Sequence, residues 1–297
     1  MPCILRIHNL DQERHMRNSG RFLFSAVMFF LMSMRIVYAQ EPYRILLTND
    51  DGYDAPGIMT LYQELSSMAN TEVLIVAPNE NYSGAGHWVM LRDPFFVVDI
   101  KQKDKIIGHH VNVPPASCVA IGVRSLMNPK PDLVISGVNR GANAGLVTLS
   151  SGTVAGAREG AMNGIPSMAV SLDRSRSRQP LDYTRAAQYT RKIVEAVRKD
   201  RLPFGVFLNV NIPAQDREIK GIRTTRQSNR DLEFEYVEQT SPFGRKFYWQ
   251  TRKRVLESAE EGTDEWAMVN GYVSITPFQI NQTADVELKG LRGLVNE

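Results

Sequence analysis

Two adjacent carboxylates, Asp50 and Asp51, lie in the run Thr48-Asn49-Asp50-Asp51-Gly52, directly after the apolar stretch Arg44-Ile-Leu-Leu-Thr48. Ionised carboxylates about 4 Å apart repel by roughly 1–4 kcal/mol, depending on the effective dielectric. A cation between or beside them removes that cost, although a turn that merely favours Asn, Asp and Gly reads equally well. Further on, Asn79-Glu-Asn-Tyr-Ser83-Gly-Ala-Gly86 offers one hydroxyl between small neighbours, or is a plain flexible loop. A third stretch, Gly137-Val-Asn139-Arg-Gly141-Ala-Asn143-Ala-Gly145, has glycine every fourth residue with asparagines interleaved. That is too permissive for a helix and suits a loop wrapped closely round a ligand. It is neither a Walker loop nor a G-x-G-x-x-G, so a nucleotide-cofactor motif is absent. The fourth stretch, Ser150-Ser151-Gly152-Thr153, opens the helical pattern Val154-Ala-Gly-Ala-Arg-Glu-Gly-Ala. A helix N-terminus is a ready anion site; Ser151 as a simple N-cap is the plainer reading.

Together these stretches supply carboxylate, hydroxyl and amide oxygens, with no His or Cys. Such a set prefers Mg²⁺ or Mn²⁺, with Ca²⁺ as an outside option, over zinc. Five histidines, two cysteines and no C-x-x-C or H-E-x-x-H also argue against a Cys/His zinc site. A hard cation beside a helix N-terminus can hold a phosphate ester, polarise its P–O bond and activate a water. A covalent aspartyl-phosphate route wants D-x-D-x-T after the strand, which Asn49-Asp50-Asp51-Gly52-Tyr53 does not supply. No side chain stands out as general acid; His87 is near in sequence, with an ordinary loop role the simpler reading.

The elements that must carry these residues alternate. Near-continuous apolar strands are expected at 44–48, 73–77, 132–136, 167–172 and 206–211, with helices around 58–65, 116–127, 152–163 and 181–200. This is the pattern of an α/β protein with a mostly parallel sheet covered on both faces. Ligands of such sheets bind outside the carboxyl ends of the strands, where all four stretches fall. After Pro213 the segments 220–225, 246–251 and 272–276 read as shorter β pieces, so a core at about 43–213 and a β-rich C-terminal lobe at about 214–297 are expected.

The chain has 297 residues, 43% hydrophobic and 23% charged, which excludes collagen, a disordered chain and a disulfide-stapled mini-protein. Residues 22–34 form an uncharged run shorter than the roughly 20 residues a membrane span needs. Arg14, Arg17 and Arg21 precede it and Val37-Tyr38-Ala39 follows, so residues 1–39 are expected to be a signal peptide cleaved after Ala39. An uncleaved anchor is the alternative, and Met16 an alternative start. The mature chain, residues 40–297, is then exported, periplasmic or secreted. Removal of residues 1–39 takes five arginines and two acids from totals of 35 and 32, leaving 30 of each. With no basic excess, a nucleic-acid polymer is not an expected partner, and the Arg174-Ser-Arg-Ser-Arg178 run reads as a solvated loop. Cys118, unpaired in an apolar stretch, reads as a small core residue.

The segments ILLTNDDGYDAPGI, APNENYSGAG, PDLVISGVNRGANAG, SSGTVAGAREGAMNGIPSMAVSL and GYVSITP, in that order, resemble the SurE family of 5′/3′-nucleotidases. The resemblance spans residues 43–283 and implies a Rossmann-like core, a C-terminal β-hairpin exchanged between subunits, and a homodimer or homotetramer. It also implies metal-dependent release of phosphate from nucleoside monophosphates, with one divalent ion per subunit. Carried over by position, the metal ligands are Asp50, Asp51, Ser83 and Asn139, with Asp50 and Asp51 catalytic. The phosphate contacts fall on Asn143, Ser151, Gly152 and Thr153, and Asn49 orients the carboxylates. The chain departs from the family pattern at Gly86-His87, Ser117, Leu146-Val147, Ser150 and Asn281, which motivates a second reading as a catalytically weak binding protein of the same fold. The family is expected in the cytoplasm, the alternative to export.

Overall fold

The computed structural model describes residues 41–174, 180–230, 233–253 and 259–284. The expected signal peptide, and all of the 174–178 run except Arg174, lie outside the described residues. The first half of the fold comprises β1 (Tyr43–Thr48), α1 (Pro56–Ser66), β2 (Thr71–Pro78), β3 (Val97–Gln102), β4 (Lys105–Val111), α2 (Pro115–Ile121) and β5 (Leu133–Arg140). It continues with α3 (Gly152–Met162), β6 (Ser167–Leu172), α4 (Thr184–Lys199), β7 (Val206–Ile212) and β8 (Gly221–Thr224). Last come β9 (Glu233–Thr240), β10 (Lys246–Lys253), α5 (Asp264–Val269) and β11 (Tyr272–Gln279).

Nine strands form one sheet in the order β3-β4-β2-β1-β5-β6-β7-β11-β8. β4, β2, β1, β5, β6 and β7 run parallel, while β3 and β11 are antiparallel to β4 and β7. The central strands are apolar throughout because both faces are covered. Ile45 and Leu47 pack with Ile58, Leu61 and Leu65 of α1 and Val194 and Val197 of α4. Leu46, between them, points the other way and packs with Cys118 and Val119 of α2. A strand alternates its side chains between faces, so consecutive apolar residues serve two separate cores. Helix α1 buries Ile58, Leu61, Tyr62 and Leu65, the spacing seen in the sequence, with Pro56 in its first turn.

The α/β class, the parallel centre and the C-terminal antiparallel hairpin are as expected. Three features differ from the sequence reading. The helix expected over 116–127 is α-helical only to Ile121 and continues as a π turn at Gly122–Leu126. The β3–β4 hairpin on the sheet edge is absent from the sequence reading; β3 is exposed along most of its length, with only Ile100 buried. The segment after Pro213 returns to the main sheet through β11 and β8, and only β9–β10 forms a separate two-stranded sheet.

Candidate metal and phosphate site

β1 has β2 on one side and β5 on the other, so the chain winds outward in both directions from this pair. The crevice at such a switch point receives the carboxyl ends of β1 and β5, and with them Asp50, Asp51 and Asn139. Asp50 is 3% exposed. Its Oδ1 accepts the Thr153 hydroxyl at 2.6 Å and its Oδ2 accepts the Thr153 N–H at 3.1 Å. Asp51 Oδ2 accepts the Arg140 N–H at 3.0 Å, which sets it beside Asn139. The Asp50 carbonyl accepts the Tyr82 N–H at 2.7 Å, which brings in the neighbouring Ser83. Hydrogen bonds therefore stitch all four candidate stretches together at the end of β1.

Glycine makes this approach possible. On α3, Gly152, Gly156 and Gly160 share one face at intervals of four. A Cβ on Gly152 would lie 2.9 Å from Asp50 Cβ, one on Gly156 2.7 Å from Ser136 Oγ, and one on Gly160 2.3 Å from Ser167 Oγ. The helix thus rests on the strands with only hydrogens between, and its first turn sits on Asp50. In β5 the register with β6 slips between Ser136 and Asn139. Gly137 there has φ +148°, and a Cβ on it would lie 2.3 Å from the Val170 carbonyl oxygen. Such an irregularity at a sheet end re-aims the following side chain, here Asn139.

The remaining predicted residues divide by what they touch. Asn139 donates from Nδ2 to the Gly141 carbonyl at 2.7 Å, so Oδ1 is its atom left for a cation. Ser83 is exposed, and its N–H donates to Asn81 Oδ1 at 2.8 Å. Asn49 bonds the backbone of the acidic turn, donating to the Gly52 carbonyl at 2.7 Å, while its buried Oδ1 has no partner among the described residues. Ser151 is the N-cap of α3, its Oγ accepting the Val154 N–H at 3.1 Å. Thr153, expected on the phosphate, gives both its N–H and its hydroxyl to Asp50. His87 joins its Nε2 to Glu159 Oε2 of α3 at 3.1 Å, tying its loop to that helix. Burial pushes the Glu159 carboxyl up, but bonds from His87 and Asn163 outweigh it and hold the group below its usual range.

Sequence reading missed the residues that hold the glycine-rich loop. Asn143 donates its N–H to Asn211 Oδ1 at 2.8 Å, and its carbonyl accepts from Asn209 and Asn211 at 2.8 and 2.9 Å. Its own Nδ2 donates to Ser171 Oγ at 3.0 Å. Asp264, fully buried at the start of α5, accepts N–H bonds from Gly145 at 2.9 Å and Ser228 at 3.0 Å. Two asparagines alternating in the otherwise apolar strand β7 were the available signal, because buried amides must find partners.

The electrostatics suit a cation. Burial pushes the Asp50 carboxyl up to about 6; the bonds from Thr153 oppose this and the charge of Asp51 adds to it. Burial also raises Asp51, against the Arg140 N–H bond and the charges of Arg140 and Arg174. Among the described residues neither carboxylate forms an ion pair. A buried and a half-buried carboxylate, a hydroxyl and an amide oxygen, all hard donors, fit Mg²⁺ or Mn²⁺.

The family model for the survival protein SurE matches residues 45–234. This chain belongs to the SurE family. It is 42% identical over 242 residues to "5'-nucleotidase SurE" of Syntrophobacter fumaroxidans, covering 81% of this chain and 94% of the relative. It is 43% identical over 254 residues to "5'-nucleotidase SurE 1" of Thermus thermophilus, covering 85% and 98%. Among solved structures it matches the SurE protein from Aquifex aeolicus with a TM-score of 0.72 at 39% identity, covering 84% of this chain and 99% of that one. The blocks that carried the resemblance are thus part of a match along nearly the full length of SurE. Leu146 and Val147, where the chain departs from the SurE pattern, lie within the 3-10 turn Gly145–Leu149, and Ser150 follows it, just before the N-cap of α3.

Proposed function

We propose that this chain is a divalent-metal-dependent phosphomonoesterase that hydrolyses nucleoside 5′-monophosphates, and 3′-monophosphates in addition, to nucleoside and phosphate. One observation supports the reading: hydrogen bonds tie Asp50 to Thr153 and Tyr82, and Asp51 to Arg140, so that the chain neighbours of Ser83 and Asn139 meet the two carboxylates at the foot of α3. These four residues would hold one Mg²⁺ or Mn²⁺ ion per subunit. When bound, the ion supplies Lewis-acid polarisation of the phosphoryl group and lowers the pKa of a water.

The chain's own residues then have distinct tasks. Among the described residues the Ser151 and Gly152 N–H groups make no hydrogen bond, and the positive end of α3 lies behind them; they receive the phosphoryl oxygens. Asn143, its backbone locked by Asn209 and Asn211, is the residue of the glycine-rich loop assigned to the phosphate. Thr153 keeps Asp50 in one orientation. Attack by water on phosphorus breaks the P–O bond to the nucleoside, whose oxygen takes a proton.

Phosphate release from AMP and GMP by residues 40–297 with Mn²⁺, and its loss in EDTA, tests the reading. The absence of release from any monophosphate or from p-nitrophenyl phosphate would instead favour a catalytically weak binding protein, which the departures at Leu146-Val147 and Ser150 motivate. Export after cleavage at Ala39, and assembly as a homodimer or homotetramer, are part of the same proposal. The exposed Tyr236, Tyr248 and Trp249 of β9–β10 support assembly.

A further inference from the structure

The loop that carries Ser83 also carries two aromatic rings that the site as described does not use. Tyr82 precedes Ser83, and its N–H is bound to the Asp50 carbonyl at 2.7 Å. Trp88 follows five residues after Ser83, and its ring lies 6.0 Å from that of Tyr82 at 53°. Between them the loop is pinned at both ends of α3, just before its N-cap and in its last turn. Gly86 N–H donates to the Ser150 carbonyl at 3.0 Å, and His87 pairs with Glu159 at 3.1 Å. Despite these anchors Trp88 remains 49% exposed. Leu149, whose carbonyl oxygen lies 3.5 Å from a Cβ built on Gly86, is 59% exposed. Exposed apolar side chains thus stand on and beside the loop that carries Ser83, next to the polar residues at the N-terminus of α3.

We infer that Tyr82 and Trp88 form a stacking platform for the nucleobase of the substrate, with the phosphate at the N-terminus of α3 and the base against the Trp88 ring. The inference rests on the nucleotidase reading above and deepens it by naming what distinguishes a nucleotide from any other phosphate ester. Every base has a π-face, and stacking on an aromatic side chain is tolerant of sequence, so the platform selects for a base rather than for one base. Tilted rings such as these offer a flat face and an edge to a planar ligand.

The test compares AMP with ribose 5-phosphate, which carries the same sugar and phosphate without a base. In Trp88→Ala, the ratio of kcat/KM for AMP over ribose 5-phosphate should fall on the order of tenfold, chiefly through KM for AMP. Trp88→Phe, which keeps a π-face, should restore most of it. Trp88 is half exposed, so its truncation opens no core cavity. A wild-type ratio in Trp88→Ala, or a ratio in Trp88→Phe as low as in Trp88→Ala, overturns the platform while leaving the nucleotidase reading intact. Failure of the wild-type protein to release phosphate from either ester overturns that reading and this inference with it.

Discussion

Thr153 holds Asp50 with both of its donors: the hydroxyl reaches Oδ1 at 2.6 Å and the N–H reaches Oδ2 at 3.1 Å. The two residues are 103 positions apart, one at the end of β1 and the other in the first turn of α3. The helix therefore orients a candidate metal ligand as well as presenting its N-terminus to phosphate. Partners behind a ligand commonly govern metal affinity or activity by about 10–100-fold. Thr153→Val, which keeps the shape and the backbone N–H, should weaken Mn²⁺ binding by about tenfold in calorimetry, and Thr153→Ser should preserve it. Equal affinities for Thr153→Val and wild type would show that the hydroxyl does not orient Asp50.

Asp50→Asn should abolish phosphate release while leaving the fold intact, and its stability should reveal why. Burial raises the Asp50 carboxyl from 3.8 to about 6, so the metal-free folded state binds this proton more tightly than the unfolded chain does. The stability contributed is present in full below pH 3.8 and is lost as pH rises through about 6, a change worth about 3 kcal/mol. In EDTA, wild-type Tm should fall relative to Asp50→Asn across that window. Parallel Tm curves for the two proteins would rule out an electrostatic penalty at Asp50.

Gly160 lies in the last turn of α3, where replacement by Ala gains at most about 1 kcal/mol from helix propensity alone. The contact argument gives the opposite sign, because the added Cβ would lie 2.3 Å from Ser167 Oγ and 2.8 Å from Val134 Cβ. Overpacking of this kind costs typically 1–3 kcal/mol. Gly160→Ala should therefore destabilise the protein by about 1–2 kcal/mol in urea denaturation. Stabilisation would mean that α3 can lift from the sheet without cost.

Asp264 supports the glycine-rich loop from a distant part of the chain. Asp264→Ala strips an acceptor from the Gly145 and Ser228 N–H groups, each at a cost of about 1–3 kcal/mol once buried. A loss of about 2–4 kcal/mol in denaturation is expected, together with a raised KM for AMP as the loop bearing Asn139 and Asn143 loosens. An unchanged midpoint would show that water replaces the lost acceptor.

Much of this arrangement was legible along the chain, because it depends on local rules. Short apolar runs such as 45–47, closed by turn residues, read as strands buried on two faces, the helix opening at Ser151 announces itself by its cap, and parallel strands put the Asn-, Asp- and Gly-rich stretches at one end of the sheet. What each residue does there was not legible. Thr153 reads as a phosphate contact yet serves Asp50, and Asn49 bonds the turn rather than a carboxylate. Asn209 and Asn211 reach Asn143 across 66 and 68 residues, and Asp264 reaches Gly145 across 119. Likewise β11 rejoins the sheet beside β7 after the separate hairpin. Periodicity, capping and turn chemistry act over a few neighbouring residues and are written in the order of the amino acids. The pairing of a buried donor with its acceptor is a condition on distance in space, and folding alone decides which remote groups meet it.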